Sequence, residues 1–256
     1  MKKILIIGIG AGDPEYLTVQ AVNALNRVDL FFLLDKGAAK EKLAAFRREL
    51  CERYIKGRDY RFVDADSPEW ERGSADYGAT IAGLNRDKQA VFERLIRDGM
   101  ADGECAAFLV WGDPALYDST IRIVAAIARD GAHTIDYEVF PGITAAQALA
   151  AKHKITLNRI GGAVEITTGR RIAEGLPENA DSVVVMLDAE NGYKRFADQD
   201  IDIFWGAYIG TPDEILIAGK LKDVAGEIER VRAEARKAHG WIMDTYLLRR
   251  SDPAGG

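Results

Sequence analysis

Apolar residues in the first part of the chain come as short unbroken runs separated by stretches with a period near 3.6. The runs are residues 3–10 (KILIIGIG), 29–34 (DLFFLL), 106–110 (AAFLV) and 136–140 (DYEVF). Runs of that length bounded by glycine, proline or charge predict buried parallel strands. Between them, residues 18–28, 40–55, 87–100, 117–129 and 145–153 repeat apolar positions at helical spacing, for example Ile121, Val124, Ala125, Ile127 and Ala128 on one face. This alternation predicts an N-terminal α/β domain over residues 1–150, a parallel sheet with helices on both faces.

Beyond His153 the pattern changes. Residues 163–168, 182–187, 203–209, 215–219 and 241–248 read as strands, with one long helix, 223–238, among them. So many strands on short connections predict a mixed or antiparallel sheet, hence a C-terminal α+β domain over residues 151–256. Residues 56–86 fit neither grammar: they are rich in charge, glycine and aromatics, with weak periodicity until Tyr77. A segment this long is usually functional or disordered. With Trp70 and Tyr77 in it, a substrate-facing lid and a plain surface insertion are both open readings. The tail SDPAGG is expected to fray.

The strand at 106–110 stops at Trp111-Gly112, and the Gly-Asp-Pro that follows can neither extend a strand nor sit inside a helix. Asp113 is thereby placed at the carboxyl end of a sheet, where open α/β folds bind ligands; a helix-capping Asp in an ordinary turn fits the same residues. The first strand ends in a similar turn, GIGAGDPEYLT, whose glycines let the backbone come close to a ligand. The spacing fails G-x-G-x-x-G because Gly12 comes one residue early and Asp13-Pro14 follow. Pyrophosphate wants uncovered N–H donors; a carboxylate and a proline suit a neutral or cationic ligand. Asp35, at the end of the second strand, stands where a dinucleotide protein holds a ribose. A nicotinamide-dependent oxidoreductase therefore remains an alternative, as does a non-catalytic ligand-binding module.

Composition narrows the partners. With 34 Lys+Arg against 40 Asp+Glu the formal net charge is −6, which argues against a nucleic-acid or anionic-membrane surface. Any anionic ligand must then be met by a local cluster of Arg and Lys. The two cysteines, Cys51 and Cys105, form no CxxC, and His133, His153 and His239 are scattered, so no metal site is expected. Cys51, inside a helical stretch, reads as a small buried residue. The opening apolar run is too short and glycine-broken for a signal peptide or a membrane span, so the expected location is the cytoplasm.

Taken in order, GIGAGDPEYLT, VWGDPALYDST, FPGITAAQAL and GAYIGTPDEIL, each at a predicted strand end, resemble the glycine turns of the tetrapyrrole (corrin/porphyrin) methylase family. The resemblance covers the whole chain. It implies S-adenosylmethionine as methyl donor, a tetrapyrrole as substrate, and a cofactor cleft between the two domains. Within the family, LNRIGG, TTGRR, VVVMLDAEN and GWIMDTYLLRR look like a branch that methylates C-1 of precorrin-5 and releases acetate. Another corrin methylase with a different target carbon is the alternative. Carried over position by position, the cofactor pocket would be lined by Pro14, Trp111, Gly112, Asp113 and Leu116 on one side, with Thr144, Ala145, Met186 and Gly210 completing it. The first turn departs from the commoner form in having Ala11 where a proline is often found, while Asp13-Pro14 and Leu17-Thr18 are kept. Loss of the acetyl group needs a water and proton handling. Tyr117 and Asp118, directly after the cofactor loop, are the catalytic candidates, although Asp118 also suits a helix cap. Arg159, Arg170 and Arg171 would clamp substrate carboxylates, or lie solvated in loops; His153 reads as structural. The resemblance also implies a homodimer.

Overall fold

The computed structural model describes residues 1–34, 38–66, 77–131 and 134–250, excluding the side chains of 38–40, 77–82 and 84. The chain divides into two compact units, Met1–Gly10 with Pro14–Ile143, and Ala11–Asp13 with Thr144–Gly256.

The first unit is a five-stranded sheet built on β1 (Lys2–Gly8), β2 (Leu30–Leu33), β3 (Arg61–Asp64), β4 (Cys105–Val110) and β5 (Ile135–Phe140), in the order β3-β2-β4-β1-β5. All its pairings are parallel. Alternation along each strand sends side chains to opposite faces. Ile4, Ile6, Leu30, Phe32 and Phe108 bury one face against Phe92, Ile96, Ile123 and Ile127. Leu5, Ile7, Phe31 and Leu109 bury the other against Ala21, Leu25, Leu50 and Cys51. The covering elements are α1 (Val19–Leu25) and α2 (Ala38–Tyr54) on one side, α3 (Tyr77–Asp98) and α4 (Thr120–Asp130) on the other. Each fully buried Phe, Leu or Ile contributes roughly 1.5–3 kcal/mol. The Phe92 and Phe108 rings stack at 4.2 Å.

Several boundaries differ from expectation. β3 lies inside the segment read as irregular. It is an edge strand, RFVD, whose ends are exposed; Phe62 packs on Phe31 at 5.7 Å while Arg61 pairs with Glu104 outside. Charged ends suit an edge strand but hide it in the sequence. α3 begins at Tyr77 instead of residue 87, because Gly78 and Gly83 weaken the periodicity without stopping the helix. Residues 67–76, including Trp70, and Asp35 lie outside the described residues, so the proposed lid is only partly in view.

The second unit opens with α5 (Ala145–His153) and continues through β6 (Val164–Thr168), the single turn α6 (Gly169–Ile172), β7 (Ser182–Met186), β8 (Ile201–Ala207), β9 (Ile215–Lys220), α7 (Leu221–His239) and β10 (Asp244–Arg250). The sheet order is β6-β7-β10-β8-β9. β6 and β7 are parallel and the other pairs antiparallel, the mixed sheet that the strand-rich pattern predicts. β8 ends two residues early and β10 starts three residues late for a common reason. Tyr208 turns to φ 50°, its N–H donates to the Met243 carbonyl at 2.9 Å and its hydroxyl to the Trp241 carbonyl at 2.6 Å. These bonds draw residues 241–243 out of the ladder. Among the described residues no helix is long and apolar enough to cross a membrane.

Candidate active site

In the first unit the site is built where β1, β4 and β5 end. Past Val110 the chain makes a two-residue antiparallel bridge to the first glycine turn: Gly112 N donates to the Gly10 carbonyl at 2.8 Å, and Gly10 N to that of Gly112 at 3.2 Å. Gly142, in the turn after β5, closes the cluster. A Cβ there would stand 2.0 Å from the Gly112 carbonyl oxygen, and one on Gly8 would stand 2.6 Å from Gly142 N. The turns after three different strands thus touch backbone to backbone, which no larger residue allows.

Asp113 locks this arrangement. One carboxylate oxygen accepts the Ala115 N–H and the other the Gly142 N–H, both at 2.8 Å. The aspartate that the sequence places at the ligand end of the sheet therefore has a structural duty as well, fixing its own turn and its neighbour's. Trp111 is half-buried with its ring 5.3 Å from Phe46 of α2. The Pro14 carbonyl accepts the Tyr54 hydroxyl at 2.9 Å, which fixes the first turn on the same helix.

Leu116 is half-buried and Tyr117 is 45% exposed. Neither Tyr117 nor Asp118 belongs to the helix expected from residue 117. Tyr117 has φ 53°, and α4 begins at Thr120, whose N–H donates to the Asp118 carboxylate at 2.7 Å. The N-cap position is Ser119, without a side-chain cap bond, so Asp118 does not cap the helix as expected but closes the turn ahead of it on the Thr120 N–H.

The first turn is poorly made for a dinucleotide. The N–H of Ile9 and that of Gly10 are spent on carbonyls of the β4 turn. A single 3-10 turn, Pro14–Tyr16, follows where a phosphate-binding helix would start, and α1 opens only at Val19.

In the second unit Thr144 caps α5. Its hydroxyl accepts the Gln147 N–H at 3.2 Å while the Gln147 side chain accepts the Thr144 N–H at 2.9 Å. Ala145 is the first helical residue, and the alanine face of α5 lets Leu149 approach β8 so closely that a Cβ on Gly206 would meet it at 2.9 Å. His153 is structural, with Nε2 3.0 Å from the Trp205 carbonyl. Met186, half-buried, ends β7 opposite Thr245 of β10. Gly210 sits at φ 80° in the turn after β8, its N–H held by Glu214 at 2.7 Å.

The loop after Met186 gave no signal of this kind in the sequence. Leu187 is left-handed, at φ 55°, and 68% exposed; Asn191 is left-handed too, at φ 58°. For Leu187 that conformation costs roughly 1–2 kcal/mol, whereas asparagine adopts it more readily. A buried polar network holds the loop. The Asp188 carboxylate accepts the N–H of Glu190 at 2.9 Å, that of Gly192 at 2.6 Å and the Tyr246 hydroxyl at 2.7 Å. Arg232 of α7 donates to the Asp188 carbonyl, to Asn191 Oδ1 at 2.8 Å and to Asp244 at 2.8 Å. Burial pushes the Asp244 carboxyl up, opposed by the Arg232 guanidinium and the Trp205 indole N–H. Burial also raises the Tyr246 hydroxyl, and the Asp188 charge adds to it. One indirect sign was available: Ile228, Arg232 and Ala235 share a helical face, so an arginine stands in an apolar stripe.

The three arginines offered as clamps are dispersed. Arg171 pairs with Glu174 at 2.8 Å, Arg159 donates to the Arg250 carbonyl, and Arg170 borders a depression beside Leu187.

The family described as Tetrapyrrole (Corrin/Porphyrin) Methylases matches residues 3–225. A precorrin-6A synthase [deacetylating] of Sinorhizobium sp is 48% identical over 250 residues, covering 98% of this chain and 96% of that protein. A solved cobalamin-synthesis-related protein (CobF) of Corynebacterium diphtheriae superposes with a TM-score of 0.82 at 35% identity, covering 98% of this chain and all of that one. A Thermus thermophilus uroporphyrin-III C-methyl transferase complexed with S-adenosylhomocysteine shares the fold, with a TM-score of 0.56 at 18% identity over 96% of this chain and 92% of that one.

Proposed function

The chain belongs to the tetrapyrrole methylase family, and from that premise we propose that it is a deacetylating precorrin-6A synthase, methylating C-1 of precorrin-5 and releasing acetate. The observation that carries this reading is the 48% identity with the Sinorhizobium enzyme along nearly its whole length. S-adenosylmethionine supplies a methyl group activated on a sulfonium. The residues proposed to hold it are Pro14, Trp111, Gly112, Asp113, Leu116, Thr144, Ala145, Met186 and Gly210. Their work is positioning and exclusion of water, and well-oriented reactants gain roughly 7–11 kcal/mol in this way. Asp113 acts through the backbone it pins, since its oxygens hold the N–H groups of Ala115 and Gly142. Tyr117, exposed at the turn ahead of α4, is the stronger candidate to orient the water that removes the acetyl group. Asp118 is engaged in the turn ahead of α4, where its carboxylate accepts the Thr120 N–H. Nicotinamide chemistry is not favoured, because the N–H donors of Ile9 and Gly10 in the first turn are used internally and no α-helix starts there to hold a pyrophosphate. A homodimer is part of the same proposal, and sedimentation would check it.

The test supplies precorrin-5 and methyl-labelled cofactor with chelator present, and follows methyl incorporation and acetate together. Equal molar yields are expected. Methylation at another carbon without acetate would assign the chain to a sibling activity. Wild-type rates in the Tyr117→Phe, Asp118→Asn double variant would remove both residues from the mechanism.

A further inference from the structure

Leu187 combines two properties that a free polypeptide avoids, a left-handed backbone under a branched apolar side chain and 68% exposure of that side chain. Asp188 and Arg232 hold it so from beneath, through hydrogen bonds to the loop backbone and to Asn191. Strain maintained by a buried network around an exposed apolar residue is how ligand contacts are presented. Leu187 borders a depression of roughly 390 Å³ whose lining also includes Arg170, Lys194 and Arg195.

The charges there run against the chain as a whole, which is net negative at −6. Lys194 is paired with Glu229 at 2.6 Å, and Arg195 gives one donor to the Ala173 carbonyl at 3.1 Å. The Asp188 carboxylate is turned inward to its three partners, which leaves Glu190 as the exposed carboxylate of the lining. Clustered cations disfavour a sulfonium and favour carboxylates; the exposed leucine favours an apolar body. We propose that this depression of the C-terminal unit recognises the tetrapyrrole, with Leu187 against the macrocycle and Arg170 and Arg195 on its peripheral carboxylates. The inference deepens the methylase reading and rests on it.

Uroporphyrin, a stable tetrapyrrole carrying carboxylates, serves as the probe, followed by its fluorescence on titration with the full chain. S-adenosylhomocysteine binding is measured in parallel by calorimetry. Leu187→Gly is the discriminating variant, because glycine takes φ near 55° without strain and the fold is kept or stabilised. Uroporphyrin affinity is expected to fall about tenfold or more in Leu187→Gly, and likewise in Arg170→Gln with Arg195→Gln, with S-adenosylhomocysteine affinity and melting temperature held. Loss of S-adenosylhomocysteine affinity with uroporphyrin unaffected would assign the depression to the cofactor and overturn the proposal. Unchanged affinity for both would overturn it too. A wild-type chain that binds S-adenosylhomocysteine but not uroporphyrin would sink this inference alone, whereas one that binds neither would remove the methylase reading with it.

Discussion

The carboxylate of Asp113 accepts the backbone N–H of Gly142 at 2.8 Å, joining the turn after β4 to the turn after β5. Replacing Asp113 by Ala leaves two backbone donors without their partner, at a cost of about 1–3 kcal/mol in urea unfolding. Affinity for S-adenosylhomocysteine should fall at least about tenfold, roughly 1.4 kcal/mol. Calorimetry on the folded variant checks this; unchanged affinity would separate the turn from cofactor binding.

Gly142→Ala tests the close contact of the three turns. Its Cβ would press on the Gly112 carbonyl at 2.0 Å, so the two turns must part. A loss of about 1–3 kcal/mol is expected. A control, Gly131→Ala, has open space around its Cβ but φ 72°, so its smaller loss reports backbone strain alone. Equal losses in the two variants would show that the crowding at Gly142 relaxes freely.

Arg232→Met leaves Asp244 buried opposite no cation, and a loss of about 3–5 kcal/mol is expected. The sign with pH is definite. Burial already raises the Asp244 carboxyl, and loss of the guanidinium raises it further, so the folded variant binds its proton before the unfolded chain does. The deficit is therefore full at neutral pH and narrows as pH falls through the raised value. Chemical unfolding from neutral pH down to about pH 4, near the ordinary carboxyl value, measures it, and a pH-independent deficit would mean that Asp244 stays charged.

Glu138 behaves in the opposite way. Arg27 and Lys3 hydrogen-bond its carboxylate and hold its pKa down to about 2. Its stabilisation is present above the ordinary carboxyl value and is lost as pH falls through that value toward 2. The pair is largely exposed, at 43% and 37%, so the effect stays below about 1 kcal/mol. Thermal melts of wild type and Glu138→Gln should converge as pH falls from the ordinary carboxyl range to about 2; parallel curves would refute the shift.

The fold was legible wherever burial wrote its own period into the sequence. β1, β2, β4 and α5 were read to within about two residues because their side chains face cores on known sides. β3 escaped because an edge strand with exposed ends carries charge where a central one carries apolar residues. The glycine turns were legible because Gly112 and Gly10 adopt φ 67° and 78°, which only their residue type tolerates freely. The role of Asp113 in tying the two turns was not, since its partner is a backbone N–H, and every residue but proline has one. The conformation of the loop at Leu187, whose residues lie in the VVVMLDAEN stretch, was missed for a different reason. Its supports, Arg232, Asp244 and Tyr246, are remote in the chain, and a single charged residue on a helix says little about what it meets.

β1 lies between β4 and β5, with Lys3 opposite Cys105 on one side and Lys2 opposite Ile135 on the other. β1 is therefore an interior strand whose neighbours on both sides are synthesised well after it. Until Val110 has emerged, a run of isoleucines and leucine waits with both hydrogen-bonding edges open, and until Phe140 with one, a condition that invites pairing with other nascent chains. Production of this chain should accordingly respond to synthesis temperature and to chaperone supply more than its finished stability would suggest, and slowing elongation between residues 34 and 105 should lower the soluble yield.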